Sequence, residues 1–228
     1  MEFPARNFEL LANDLSAVRG ERMLFKKLNF SLKNGGVLYL QGANGTGKTT
    51  LLRMLCGLSK PYSGVINWCG NNINDLAEEF HQHVLYIGHL PSIKEDLTAL
   101  ENLQFSLALT GDRFDLVKAS NALKMLGLAK GLHLPTRVLS QGQKRRVALA
   151  RLWLQHMPLW ILDEPFTALD VSATQLLRQK IEQFANDGGL VVMTSHQTFS
   201  MNVPNFVQLQ LDVKVNLDGG INVDEFKN

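Results

Sequence analysis

The stretch that decides the fold is Gly42-Ala43-Asn44-Gly45-Thr46-Gly47-Lys48-Thr49. It follows the apolar run Val37 to Leu40, which predicts a buried strand, and it precedes Thr50 to Cys56, whose apolar spacing predicts a helix that ends at Gly57. Its glycines let successive backbone N–H groups point into one concavity, and the helix N-terminus adds partial positive charge. The pattern therefore predicts a phosphate-binding loop, with Lys48 at the β- and γ-phosphates and Thr49 at Mg²⁺. We expect Thr50 and all eight residues of the loop to contact the nucleotide.

A second segment, Leu159-Trp160-Ile161-Leu162-Asp163-Glu164, consists of four apolar residues followed by two carboxylates. A continuous apolar run is typical of a strand buried on both faces, and open α/β sheets bind ligands at the carboxyl ends of such strands. Beside a phosphate-binding loop, Asp163 is predicted to hold the Mg²⁺ shell and Glu164 to polarise an attacking water. The two segments together predict an enzyme that hydrolyses ATP.

The spacing of these two segments indicates an insertion between them. Lys48 and Asp163 lie about 115 positions apart, whereas one strand–helix–strand unit takes about 30 residues. Part of the intervening sequence is helical in pattern, because Thr98 and Glu101 have capping-box spacing and residues 114–126 repeat apolar residues at helical spacing.

The residues before the loop predict a separate β-layer. Residues 8–18 and 23–32 alternate in polarity around turn residues at 19–21, as antiparallel strands do. We therefore predict an α/β fold of the P-loop NTPase class, with a mainly parallel sheet, an N-terminal antiparallel β-layer and an inserted helical subdomain. The predicted core comprises residues 1–90 and 156–228, and the predicted helical subdomain spans about 91–155.

Composition excludes some classes of function. The chain has 228 residues and a net charge of +2, so no strong positive field argues for nucleic-acid binding. Cys56 and Cys69 have no paired spacing and are predicted to be reduced core residues.

The sequence starts without the pattern of a signal peptide, and no apolar run reaches the roughly 18 residues of a membrane span. We expect any membrane role to depend on a partner, and residues 212–228 to form a hairpin or a loose tail.

A third segment, Leu139-Ser140-Gln141-Gly142-Gln143, has capping-box spacing and predicts a helix that continues to Gln155, before Pro158. By itself it is an ordinary helix start. Two further segments accompany it, Ala168-Leu169-Asp170 after Glu164 and His196 after an apolar strand at 190–194. With them the segment resembles the signature motif of the ABC ATPase family, and the resemblance extends from Phe8 to about His196.

This resemblance implies a homodimer with ATP and Mg²⁺ between its subunits. Each ATP would lie between the phosphate loop of one subunit and Ser140, Gly142 and Gln143 of the other. Glu164 and His196 would be the catalytic residues, with His196 at the γ-phosphate, while Asp170 would link the two sites.

Two positions depart from the family pattern. His89 stands where the family usually has a glutamine, and its imidazole is expected to reach the Mg²⁺ shell through water. Arg19 replaces the aromatic residue that often stacks on adenine, and its planar guanidinium is expected to stack there instead.

Residues 86–103 and 143–154 narrow the resemblance to the ATP-binding subunits of cytochrome c maturation export systems. That branch implies ATP hydrolysis coupled to haem export or to release of a haem-loaded chaperone, integral-membrane partner subunits, and a peripheral position on the cytoplasmic face of the bacterial inner membrane. The alternatives are another ABC exporter, a soluble non-transport ABC ATPase and a non-catalytic nucleotide sensor. Some of four apolar residues should line a groove for a membrane subunit, unless all four are core: Leu90, Ile93, Leu97 and Leu100.

Overall fold

The structure is a computed structural model, and it describes residues 7–195, 200–211, 214–215 and 221–222. The chain forms two compact units. The first contains the chain up to Tyr86, Pro158–Asp163 and the chain from Glu182 onward, and the second contains Ile87–Met157 and Glu164–Ile181.

The strands follow one another along the chain as β1 (Glu9–Arg19), β2 (Arg22–Lys33), β3 (Gly36–Gln41), β4 (Ser63–Trp68), β5 (Asn71–Asn72), β6 (Val84–Ile87), β7 (Leu159–Leu162), β8 (Leu190–Thr194), β9 (Asn205–Gln210), β10 (Lys214–Val215) and β11 (Ile221–Asn222). The helices are α1 (Lys48–Leu55), α2 (Ile73–Leu76), α3 (Glu78–His81), α4 (Ala99–Leu109), α5 (Leu116–Met125), α6 (Gln141–Leu149) and α7 (Val171–Asn186). Short 3₁₀ helices lie at Ala129–Gly131, Thr136–Val138 and Ala150–Trp153.

An antiparallel sheet with the strand order β2-β1-β4-β5 confirms the predicted N-terminal β-layer. Leu28, Phe30 and Leu32 of β2 are buried and alternate with exposed residues, so one face of this strand packs into the core. The prediction that Cys69 is a core residue is wrong. Cys69 is exposed because it forms, with Gly70, the tight turn between β4 and β5, where its φ is +50°. Cys56 is buried as expected, and burial raises the pKa of its thiol.

A five-stranded sheet with the order β6-β7-β8-β3-β9 forms the centre of the first unit. Strands β7, β8, β3 and β9 pair in parallel, and β7 and β8 are buried at every position. The strands predicted from the continuous apolar runs are thus confirmed. Strand β9 was not predicted, and it adds the edge next to β3. The short antiparallel pair of β10 and β11 agrees with a terminal hairpin, although most of residues 212–228 lie outside the described part of the chain.

The second unit is mainly helical, and its core is formed by buried residues of α4, α5 and α6 such as Leu103, Leu123 and Val147. Both predicted capping boxes are present, at the start of α4 and at the start of α6. Helix α5 begins later than its apolar pattern predicted, because the Asp115 carboxylate caps it by accepting two backbone N–H bonds. Helix α6 is shorter than predicted, since the chain tightens into a 3₁₀ helix from Ala150.

One buried amide organises the loop before α4. The Asn102 side chain is 5% exposed, accepts a bond from the Lys94 N–H and donates to the carbonyls of Lys94, Leu97 and Thr98. Because buried backbone groups need partners, this side chain takes the place of the pairing that a regular element would give.

We expect Asn102→Ala to lower the free energy of unfolding by about 3 kcal/mol, since several buried backbone groups lose a partner at once. The control is Gln104→Ala, an exposed position on the same helix, which should change it by less than about 0.5 kcal/mol. Urea unfolding followed by circular dichroism measures both. Equal stability of the two variants would contradict this role of Asn102.

Candidate functional site

The predicted phosphate loop connects β3 to α1, and its backbone is held in conformations that favour glycine. Gly42, Gly45 and Gly47 have φ values of +148°, +81° and +104°. At Gly42 space is also decisive, because a Cβ there would lie 2.4 Å from the Leu211 carbonyl oxygen and 2.8 Å from Thr46 Oγ1. No larger residue fits at Gly42 without moving the backbone.

The loop holds its own lysine. Lys48 is the first residue of α1 and is only 7% exposed. Its Nζ donates to the carbonyls of Gly42, at 2.6 Å, and Ala43, at 3.1 Å. The Thr46 hydroxyl also donates to the Ala43 carbonyl. A cation is thus fixed against the loop at a helix N-terminus, the arrangement that suits an anionic phosphate.

A buried carboxylate joins the start of α1 to the sheet. Asp163, directly after β7, is 2% exposed, and its two oxygens accept bonds from Thr49 Oγ1 at 2.9 Å and Thr194 Oγ1 at 2.7 Å. Thr194 is not among the site residues predicted from the sequence. Its only signal is a polar residue at the end of an otherwise apolar strand, which by itself indicates no partner.

These oxygen atoms fit Mg²⁺, which is usually held by one or two carboxylates together with substrate phosphates and water. Thr49 and Asp163 supply a hydroxyl and a carboxylate within hydrogen-bond distance of each other. Across the described residues, no group of three or more His, Cys, Asp or Glu side chains could form an all-protein metal site. The donor set therefore suits a metal that arrives with a phosphate ligand.

The second carboxylate, Glu164, belongs to the second unit. Its φ of +49° is left-handed, which is uncommon for a residue other than glycine and often occurs at functional sites. Its Oε2 accepts a bond from Thr167 Oγ1 at 3.2 Å and lies 3.8 Å from His89 Nδ1. The His89 side chain is 62% exposed. The structure thus places the two predicted residues His89 and Glu164 next to each other.

The signature segment forms a reciprocal cap at the start of α6. Ser140 Oγ accepts from the Gln143 N–H, and Gln143 Oε1 accepts from the Ser140 N–H. Gly142 lies against the loop that follows Glu164. A Cβ at this position would lie only 2.7 Å from the Ala168 carbonyl oxygen. Sequence reasoning missed this contact, since only the tertiary fold brings the two segments together.

Asp170 is fixed in the same unit. Its carboxylate accepts from the Ala173 N–H and the Ser172 hydroxyl and lies 2.6 Å from Arg146 Nη2. The pKa of Asp170 is lowered, most by the hydrogen bond from the Ala173 N–H, then by that from the Ser172 hydroxyl, and then by the nearby Arg146 guanidinium. This carboxylate is anchored within its own chain, a contact that the sequence analysis did not predict.

Two further predicted site residues are Arg19 and His196. Arg19 is exposed at the last position of β1, and its stacking on adenine stays a prediction. His196 lies outside the described residues.

The apolar residues expected at a docking groove divide into two groups. Leu90 is 76% exposed, whereas Leu100 is buried and Ile93 packs against the helical core. Ile93 and Leu100 therefore belong with the core alternative, and Leu97 is half-buried. None of the helices in the described part of the chain has both the length and the hydropathy needed to cross a bilayer.

Known proteins are similar to this chain over most of its length. Residues 25–167 match the family model described as ABC transporter. A cytochrome c biogenesis ATP-binding export protein CcmA from Nitrosospira multiformis is 50% identical over 198 residues, covering 87% of this chain and 96% of the relative. The protein of the same description from Nitrosomonas europaea is 50% identical over 193 residues, covering 85% and 91%.

Among solved structures, the ATP-binding cassette MJ0796, in a dimeric post-hydrolysis state bound to ADP and Pi, superposes with a TM-score of 0.72. It is 27% identical, and the match covers 82% of this chain and 88% of that one. The chain therefore belongs to the ABC transporter family and, within it, to the cytochrome c biogenesis ATP-binding export proteins CcmA.

Proposed function

We propose that the chain is the ATP-binding and ATP-hydrolysing subunit of an ABC complex for c-type cytochrome biogenesis. In this complex, ATP hydrolysis drives haem export or release of a haem-loaded chaperone. The observation that carries the enzymatic part is the buried Asp163 carboxylate, bonded to Thr49 directly after the phosphate-loop lysine. The relatives, which are cytochrome c biogenesis ATP-binding export proteins, support the biological part.

The phosphate loop and α1 bind the nucleotide in this proposal. Loop N–H groups and Lys48 contact the phosphates, and Thr50, the third residue of α1, also contacts the nucleotide. Thr49 and Asp163 hold Mg²⁺. When bound, Mg²⁺ neutralises charge on the β- and γ-phosphates. Arg19 stacks on adenine, and His89 contacts the metal shell through water.

Glu164 and His196 perform the chemistry. The Glu164 carboxylate orients the attacking water and accepts its proton, while His196 steadies the γ-phosphate. The Thr167 hydroxyl bond to Glu164 Oε2 supports this role, because it limits the directions in which the carboxylate can turn.

The active form is a homodimer in this proposal. Ser140, Gly142 and Gln143 at the start of α6 face the ATP bound by the other subunit, where the positive end of the helix dipole suits a γ-phosphate. The dimeric state of the cassette MJ0796 with ADP and Pi supports the arrangement. We further propose a core of residues 1–90 and 156–228 and a helical subdomain at about 91–155.

The partners are integral-membrane subunits of the cytochrome c maturation complex, which hold this chain peripherally at the cytoplasmic face of the bacterial inner membrane. The exposed Leu90 supports a docking surface in the second unit, because an apolar side chain with 76% exposure is available to an apolar helix of a partner.

Lys48→Ala should abolish or strongly weaken ATP binding while the fold persists, because it removes the cation held against the loop. Calorimetric titration with ATP measures the affinity. Lys60→Ala, an exposed lysine of the same unit, is the control and should bind normally. Normal affinity of Lys48→Ala would refute the assigned site.

Glu164→Gln keeps the shape of the side chain but removes its basicity, so phosphate release should fall by roughly 10²-fold or more. ATP-driven dimerisation in gel filtration should persist, and cells that rely on this variant should lose haem-stained c-type cytochromes. Glu78→Gln, exposed on α3, should behave like the unchanged protein. Normal phosphate release by Glu164→Gln would contradict the enzymatic proposal, and normal cytochromes without hydrolysis would contradict the biological one.

Leu90→Glu should detach the chain from membranes that contain its partners, with nucleotide affinity and melting temperature nearly unchanged, because a charge there opposes an apolar contact without entering the core. Leu109→Glu is the matched control, being 72% exposed at the end of α4. Membrane sedimentation distinguishes the two variants. If Leu90→Glu sediments like Leu109→Glu, docking does not depend on Leu90.

A further inference from the structure

One buried guanidinium joins three segments of the second unit. Arg145, in α6, is only 5% exposed. Its Nη1 donates to the carbonyl of Gly88 at 2.5 Å and lies 3.3 Å from the carbonyl of His89. Its Nη2 donates to the carbonyl of Glu164 at 3.1 Å. The side chain therefore binds only backbone in these contacts, and two of the three residues it binds, His89 and Glu164, belong to the proposed site.

The contact with Glu164 matters because of the conformation of that residue. A left-handed φ at a residue with a side chain persists only where the surroundings fix it. The Glu164 carbonyl accepts two bonds, from Arg145 Nη2 and from the Thr167 N–H at 3.1 Å. These bonds fix the peptide plane after Glu164 and thus the backbone from which the side chain projects, while the Thr167 hydroxyl bonds its Oε2.

The same guanidinium fixes the neighbour of that carboxylate. His89 Nδ1 lies 3.8 Å from Glu164 Oε2, and the backbone of both residues is bound by Arg145. Because a guanidinium is planar and presents its donors in a rigid fork, it can hold the two segments at a constant spacing. A lysine has one flexible point charge and cannot reproduce this geometry.

We propose that Arg145 is a positioning residue for ATP hydrolysis, an inference that rests on the proposed role of Glu164. It sets the direction of the Glu164 carboxylate toward the attacking water and keeps His89 beside it, without itself touching the nucleotide. Helix α6 thereby has two roles. Its first residues face the ATP of the other subunit, and Arg145, within the helix, orders the water-activating carboxylate of its own chain.

The test is a double-mutant cycle that combines Arg145→Met with Glu164→Gln. Arg145→Met keeps an apolar stem in the buried site and removes the donors. We expect it to lower kcat by roughly 10- to 100-fold while the KM for ATP and ATP-driven dimerisation change by less than about threefold. In the Glu164→Gln background it should have no further effect on the residual rate, because it acts through the carboxylate that is already lost.

The control is Arg137→Met, whose guanidinium forms an exposed ion pair with Asp96 in the same unit and should leave kcat unchanged. Arg145→Lys keeps the charge, and it replaces Arg145→Met in this test if Arg145→Met does not fold. It should recover only part of kcat, and full activity of Arg145→Lys would overturn the proposal.

Two other outcomes separate this inference from the proposed function. If Glu164→Gln retains only a low residual rate but Arg145→Met lowers the rate by the same factor in both backgrounds, or not at all, the positioning role is overturned and the function stands. If Glu164→Gln hydrolyses ATP normally, the proposed base is wrong and the positioning role is overturned with it. A merely structural role would instead lower the melting temperature and change kcat only through the fraction of folded protein.

Discussion

The first unit depends on how one buried charge is stabilised. A carboxylate as buried as Asp163 needs hydrogen-bond partners, because an unpaired buried charge is strongly unfavourable. Its partners are hydroxyls from the start of α1 and the end of β8. These bonds require β7, β8 and the phosphate loop to meet at one edge of the parallel sheet. The strand order places β8 between β7 and β3. Because Lys48 directly precedes Thr49, the bond between Thr49 and Asp163 also determines where Lys48 lies.

The second unit is ordered by helix α6 in a different way. Its start is fixed locally by the Ser140 and Gln143 cap, but its side chains bind distant backbone and a distant carboxylate. Arg145 binds the Glu164 carbonyl, Arg146 binds the Asp170 carboxylate, and Gly142 lies against Ala168. The segment from Glu164 to Asp170 therefore has three attachments to one helix, which explains how a left-handed conformation is maintained at Glu164.

Predictions that rested on neighbouring residues were accurate, and predictions of burial were less so. Both capping boxes form because each needs only a side chain and a backbone group three residues apart. The prediction for Cys69 failed because an apolar residue beside a strand can also form its turn. The length of α6 was overestimated because no residue before Pro158 announces the change to a 3₁₀ helix. The sequence did not decide whether Ile93 and Leu100 lie in a docking groove or in the core, because both environments favour apolar residues.

The sequence by itself determined the phosphate loop, the buried strand that ends in Asp163 and Glu164, and the resemblance to the ABC family, because these are patterns of closely spaced residues with a direct physical meaning. Only the tertiary structure decided that Thr194 is a partner of Asp163 and that Arg145 holds Glu164 and His89. These contacts join residues 31, 19 and 56 positions apart. The residues next to a polar residue in a strand, or next to an arginine in a helix, do not indicate its hydrogen-bond partner. That partner depends on how the helices and strands pack in the folded protein.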